Sequence, residues 1–113
     1  MRGKRGAMMP IESTACNTLL YIFGRFHARA GQADAVAQAL REVAAPTRAE
    51  PGCVAYGAFR STRDPQLFYV HSRWIDEAAF DRHATLPHTL RFLAAVAPLI
   101  DHDLDVTRAH PIA

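Results

Sequence analysis

The stretch Leu67-Phe68-Tyr69-Val70-His71-Ser72-Arg73-Trp74-Ile75-Asp76-Glu77-Ala78-Ala79-Phe80-Asp81-Arg82-His83 passes from a strand into a helix, and the rest of the fold can be read outward from it. Leu67 to Trp74 reads as a strand. Asp76 has the side chain of an N-cap, and Glu77 in the first turn suits the helix dipole. The helix then runs through Ala84 and carries Phe80 and His83, three residues apart and so on one face.

On the N-terminal side, Cys53 to Arg60 reads as a second strand. The polar turn Ser61 to Gln66, with Asp64-Pro65, joins the two into a hairpin. Further back, Leu19 to Ala28 is rich in aromatic and β-branched residues and reads as the first strand. Gly31 breaks it. Gln32 to Ala49 then has Val36, Leu40, Val43 and Thr47 at helical spacing. Pro46 is expected to kink the last turn, and Glu50-Pro51-Gly52 ends the helix in a turn. On the C-terminal side, Pro87 suits the first turn of a further helix, with a stripe of Leu90, Leu93, Val96 and Ala97. His102 to Ala109 reads as the last strand. The order is β-α-β-β-α-β with the second helix broken in two, an α+β ferredoxin-like plan with an antiparallel sheet.

The length, 113 residues, fits one domain. We read 1–18 as a flexible leader, because its basic start is followed by no apolar core of a signal peptide, and 19–113 as the folded domain. The formal net charge is +2 with both signs mixed along the chain, which argues against nucleic acid as a partner. No apolar run approaches the roughly 20 residues of a membrane helix. Two cysteines, Cys16 and Cys53, make neither a disulfide framework nor a metal motif; free thiols in a reducing cytoplasm are the expectation.

The first strand is apolar on both faces. Leu20, Ile22, Gly24 and Phe26 point one way, and Tyr21, Phe23, Arg25 and His27 the other. Helices cover one side of such a sheet. The other holds Tyr21, Phe23 and Arg25 with Tyr69, His71 and Arg73, and a second copy packed face to face would bury it.

Chemistry concentrates between Trp74 and His88. His83 is expected beside Trp74, where imidazole with aromatic walls would serve acid–base work near neutral pH. A structural histidine bonded to backbone is the competing reading. His88 either shares that pocket or bonds the preceding turn. Tyr56, on the face of Val54 and Ala58, either orients a carbonyl or quinone oxygen or packs in the core. His102 and His110 are expected in solvent. The six histidines form no recognisable zinc motif, so no metal is expected. There is no Gly-x-Ser-x-Gly, phosphate loop or dinucleotide motif, and Cys53 reads as a small buried residue.

Arg25-Phe26, Gly31, Glu50-Pro51-Gly52-Cys53, Tyr56, Phe68, Trp74, Asp76-Glu77-Ala78, His83 and Pro87-His88 fall in an order that resembles the antibiotic biosynthesis monooxygenase domain superfamily, from about Leu19 to Ile112. The resemblance implies a homodimeric α+β barrel with a pocket between helices and sheet. It implies monooxygenation of a quinol-like or phenolic aromatic by O2 without a cofactor, the substrate supplying the electrons. His83, Trp74 and Tyr56 would then be catalytic, and His88, Phe26, Gly24, Ser72 and Phe80 would bind substrate. Two alternatives are an isomerase of a small autoinducer-type ketone and a non-catalytic small-ligand-binding dimer. Haem-degrading members carry an asparagine where Gly24 stands here, which argues against that branch. Many members have a glutamate where Ser72 stands, so one pocket carboxylate is missing and His83 is left as the best titratable group.

Overall fold

A computed structural model describes residues 18–113. The expected leader, with Cys16, lies outside the described residues except for Thr18. The elements are β1 (Leu20–His27), α1 (Ala33–Arg48), β2 (Cys53–Arg60), β3 (Leu67–Trp74), α2 (Glu77–His83), α3 (Pro87–Val96), a 3-10 turn (Ala97–Leu99) and β4 (Asp105–Ala109). The strands form one antiparallel sheet in the order β2-β3-β1-β4, the ferredoxin-like arrangement. No described helix is long and apolar enough to cross a membrane.

The alternation expected of β1 holds. Leu20, Ile22, Gly24 and Phe26 are buried under the helices, while Phe23 and Arg25 are exposed on the other face. All four stripe residues of α1 are buried, and the helix runs through Pro46 to Arg48. Asp76 caps α2 by accepting from the Ala79 amide at 2.8 Å. Two apolar clusters anchor the helices. Phe26, Val36, Leu40, Phe68 and Val96 fill one end of the sheet, and Leu20, Ile22, Trp74 and Ala79 the other.

Five local expectations fail. In β2 the register shifts between Cys53 and Ala55: Cys53 pairs Trp74 and Ala55 pairs Arg73, so Val54 is the extra residue of a bulge. Val54 is half-exposed and does not share the face of Tyr56. In α3 the inward stripe is Thr89, Phe92, Leu93 and Val96, with Thr89 and Val96 buried and Phe92 and Leu93 partly so, while Leu90 is half-exposed. β4 begins at Asp105, three residues late. The His27 amide that a longer strand would engage donates instead to His102 Nε2 at 2.8 Å, and the His27 carbonyl accepts from the Asp101 amide. His102 is therefore half-buried and bonded rather than solvated. Cys53 is only partly buried; its thiol is free, and burial with Glu50 nearby pushes its pKa up, away from reactivity.

Candidate active site

Between the two clusters the helices stand off the sheet and leave a cavity of about 330 Å³. Its floor is made of register neighbours: Ile22 opposite Ser72, Gly24 opposite Val70, and Tyr56 on the far side of Ser72. A Cβ at Gly24 would press on Phe26 and Val70, so glycine there widens the floor. Val43 and Thr47 of α1, Phe80 and His83 of α2, and Thr89 and Phe92 of α3 make the walls. Arg108 on β4 reaches over the Phe80 ring and bonds Glu77 and Asp81 at 3.0 and 2.7 Å, closing one side.

His83 is the best-supported side chain in the wall. Its ring leans on Trp74 at 4.7 Å and on Phe80 at 5.5 Å. Its Nδ1 lies 2.6 Å from Glu50 Oε2, and Thr89 Oγ1 is 3.2 Å from the same nitrogen. The same Glu50 oxygen lies 2.7 Å from His88 Nε2. A carboxylate can only accept, so His83 Nδ1 and His88 Nε2 both carry protons. These are short, charge-assisted bonds, and the Glu50 side chain is only 8% exposed. In the neutral ring His83 Nε2 is then the bare nitrogen, a lone pair on a residue lining an apolar cavity. A carboxylate that fixes an imidazole's tautomer and orients it is how such a ring is prepared as a base.

Local structure explains why Glu50 reaches His83. The chain leaves α1 in a tight turn, with the Glu50 amide bonded to the Thr47 carbonyl and the Cys53 amide to the Glu50 carbonyl. Gly52 then packs directly against α2; a Cβ there would overlap that of Ala79. The Ile75 amide donates to the Gly52 carbonyl, joining the turn to the end of β3. One carboxylate thus ties together the ends of α1 and α2 and the start of α3.

Of the residues singled out from sequence, Tyr56, His83, Phe26, Gly24, Ser72 and Phe80 line the cavity. Trp74, expected as a pocket wall, is not among the lining residues. It is 1% exposed, stacks against His83, and donates its indole N–H to Ser72 Oγ at 3.0 Å. His88 also lies outside the cavity lining, bonded to Glu50. Burial drives the Tyr56 phenol up to about 12, which keeps it a neutral donor. Glu50 is the residue that sequence reasoning missed as a site group. The carboxylate absent at Ser72 is supplied from the turn after α1. The signal is in the Glu50-Pro51-Gly52-Cys53 motif itself, which the sequence marks as a turn and a family motif but not as a partner of His83.

Glu50, His83 and His88 also bring three possible ligand atoms within 4.8 Å of one another, a set that suits a divalent transition metal. Their sequence spacing resembles no metal motif, because α1, α2 and α3 each contribute one end.

Comparison with known proteins agrees with this architecture. Residues 19–95 match the family described as antibiotic biosynthesis monooxygenase. The chain is 31% identical over 91 residues to Rv0793 of Mycobacterium tuberculosis, provisionally named a monooxygenase, with 80% of this chain and 89% of that protein covered. The crystal structure of PA3566 from Pseudomonas aeruginosa superposes with a TM-score of 0.80 at 33% identity, covering 87% of this chain and 98% of that one. The structure of Rv0793 does so with a TM-score of 0.80 at 28% identity, covering 85% and 97%. Fold, motif order and these matches coincide over the segment that builds the cavity, and the chain belongs to the antibiotic biosynthesis monooxygenase family.

Proposed function

We propose that this protein is a cofactor-independent monooxygenase of a quinol-like or phenolic aromatic, acting as a homodimer in the cytoplasm. The observation that carries the reading is the Glu50–His83 pair in the wall of an apolar cavity. His83 Nε2 takes the phenolic proton, and Glu50 stabilises the imidazolium that results. The cavity walls are mostly apolar, so an aryl-oxide anion bound against them is poorly solvated and electron-rich. It transfers an electron to O2, and the radical pair joins at a ring carbon. The O–O bond then breaks as the ring C–H proton leaves and His83 returns its proton to the departing oxygen, so that water is lost and a new carbonyl remains. For a hydroquinone the balance is hydroquinone plus O2 giving hydroxyquinone plus water, all four electrons coming from the substrate. General base catalysis of this kind is worth about 10²–10⁴ in rate.

The open sheet face supports the dimer. Phe23 and Tyr69 are 50% and 45% exposed on it, and Arg73 Nε is buried there without a hydrogen-bond partner. A second sheet would cover the aromatics. The unpaired thiol of Cys53 suits a reducing compartment.

Oxygen uptake with a panel of hydroquinones tests the reaction. Uptake that falls at least 100-fold in His83→Ala supports it, and uptake indifferent to that change removes His83 as the base. Conversion of a ketone without O2 would identify an isomerase, and binding without turnover a ligand-binding dimer.

A further inference from the structure

We propose that Glu50, His83 and His88 form a binding site for a divalent transition-metal ion of the zinc type, and that an ion held there reverses the tautomer of His83. Metal binding stands on the three side chains alone; its consequence for turnover rests on His83 being the base. The donor atoms are His83 Nδ1, His88 Nε2 and Glu50 Oε2, all within 4.8 Å of one another. The oxygen lies 2.6 Å from the first nitrogen and 2.7 Å from the second, so one carboxylate oxygen faces two imidazoles. Two histidines and a glutamate hold Zn2+ with a position left for water. The site is sheltered, since the side chains of His83, His88 and Glu50 are 14%, 16% and 8% exposed. His27 offers a contrast. It also meets two carboxylates, Asp64 at 3.3 Å and Asp101 at 2.7 Å, but with opposite ring nitrogens. No single ion reaches all three groups there, whereas the donors around Glu50 converge.

The donors stand at hydrogen-bond distance and must part to admit an ion. Ligand atoms about 2.0–2.1 Å from a tetrahedral Zn2+ are about 3.3 Å apart. Each nitrogen–oxygen pair therefore opens by about 0.6 Å, which side-chain rotation supplies. His88 has room to turn. It stands in the wall of a cleft of about 430 Å³ between α1 and α3, which also gives an ion a path from solvent. In the metal-free protein His83 Nδ1 and His88 Nε2 carry protons donated to Glu50. An ion needs the lone pairs of those same nitrogens. In a neutral ring the displaced proton moves to the other nitrogen, which in His83 is Nε2. That nitrogen then bears hydrogen and no longer accepts a phenolic proton. The ion thus competes with the arrangement that prepares the base, and its occupancy switches turnover off.

The test is titration of the chelator-treated full chain with Zn2+, read by calorimetry and by nitrogen-15 NMR of the histidines. The expected result is one ion per chain with a micromolar Kd, metal on His83 Nδ1 and hydrogen on its Nε2. Glu50→Gln and His88→Ala should each weaken binding at least about tenfold. Co2+ in place of Zn2+ should give d–d bands without a thiolate charge-transfer band. A thiolate band would put the ion on a cysteine and overturn the proposal. So would no binding in the wild type, binding indifferent to both variants, or a proton kept on Nδ1 with Zn2+ bound. The wild-type spectrum decides whatever the variants do to folding. O2 uptake with a hydroquinone on the same samples separates the two claims. Uptake that falls in step with Zn2+ occupancy supports the switch. Uptake unchanged at full occupancy overturns the switch. No uptake at any Zn2+ level, with the tautomer reversed, leaves the metal site standing and removes the monooxygenase reading.

Discussion

His83 and His71 occupy similar rings of aromatics on opposite faces of one sheet, and they differ in what holds the ring. His71 stacks on Phe23 at 4.9 Å and lies 5.8 Å from Tyr21, with Nδ1 3.2 Å from the Ile22 carbonyl. His83 stacks on Trp74 and Phe80, with Nδ1 2.6 Å from a carboxylate. A backbone carbonyl can orient a ring. A buried carboxylate also stabilises the cation that forms when the ring takes a proton. Only His83 lines the cavity. The two aromatic cages are alike; the carboxylate and the apolar cavity distinguish one face from the other.

The largest expected effect separates the two histidines. His83→Ala should lower kcat/KM for O2-dependent turnover about 10²–10⁴-fold. His71→Ala should change it less than about threefold and weaken association of the proposed dimer. Matched losses in the two variants would erase the distinction between the faces.

Two glycines sharpen the same contrast. Gly52→Ala drives a methyl into Ala79 under α2 and should cost about 1–3 kcal/mol in urea unfolding, with activity lost as Glu50 shifts. Gly57 pairs with His71, and a methyl there meets only the far end of the exposed Phe59 ring. Gly57→Ala should move stability by less than about 0.5 kcal/mol.

A smaller effect follows from Tyr56. Its folded-state pKa, about 12, lies above the ordinary 10.0, so the folded protein keeps a proton that the unfolded chain gives up. Stability from this group is complete below pH 10 and is lost as pH rises through 12. At pH 11 the wild type should have lost about 1.4 kcal/mol more than Tyr56→Phe, relative to pH 9. Parallel curves would mean that the phenol is not held neutral by burial. The smallest effect is expected at Arg108. Its ion pairs with Glu77 and Asp81 are solvent-exposed, so Arg108→Ala should cost under about 1 kcal/mol of stability.

The sequence made the frame legible where pattern is local. The bounds of β2 and β3 and the cap at Asp76 follow from alternation and N-cap chemistry, and the structure keeps them. The bulge at Val54 was hidden because it depends on how β2 meets β3, not on a residue type. The start of β4 was hidden because a side chain, His102, takes the bond a strand would have made. Within the site, His83 could be named from its helix face and motif. Its partner could not, because Glu50 lies 33 positions away and reaches it only once the turn after α1 folds under α2. Sequence thus exposes residues whose role is set by their own segment, and conceals those whose role depends on a contact between segments.

Glu50 is expected to fix His83 with its proton on Nδ1 and its lone pair on Nε2. Nitrogen-15 NMR of the histidine side chains at neutral pH tests it directly, with His83→Asn assigning the signal. The expected spectrum shows a protonated Nδ1 and a bare Nε2 in the wild type, with the two tautomers mixing in Glu50→Gln. A proton on Nε2 in the wild type, or a tautomer indifferent to Glu50, would mean that the carboxylate does not prepare His83 as a base.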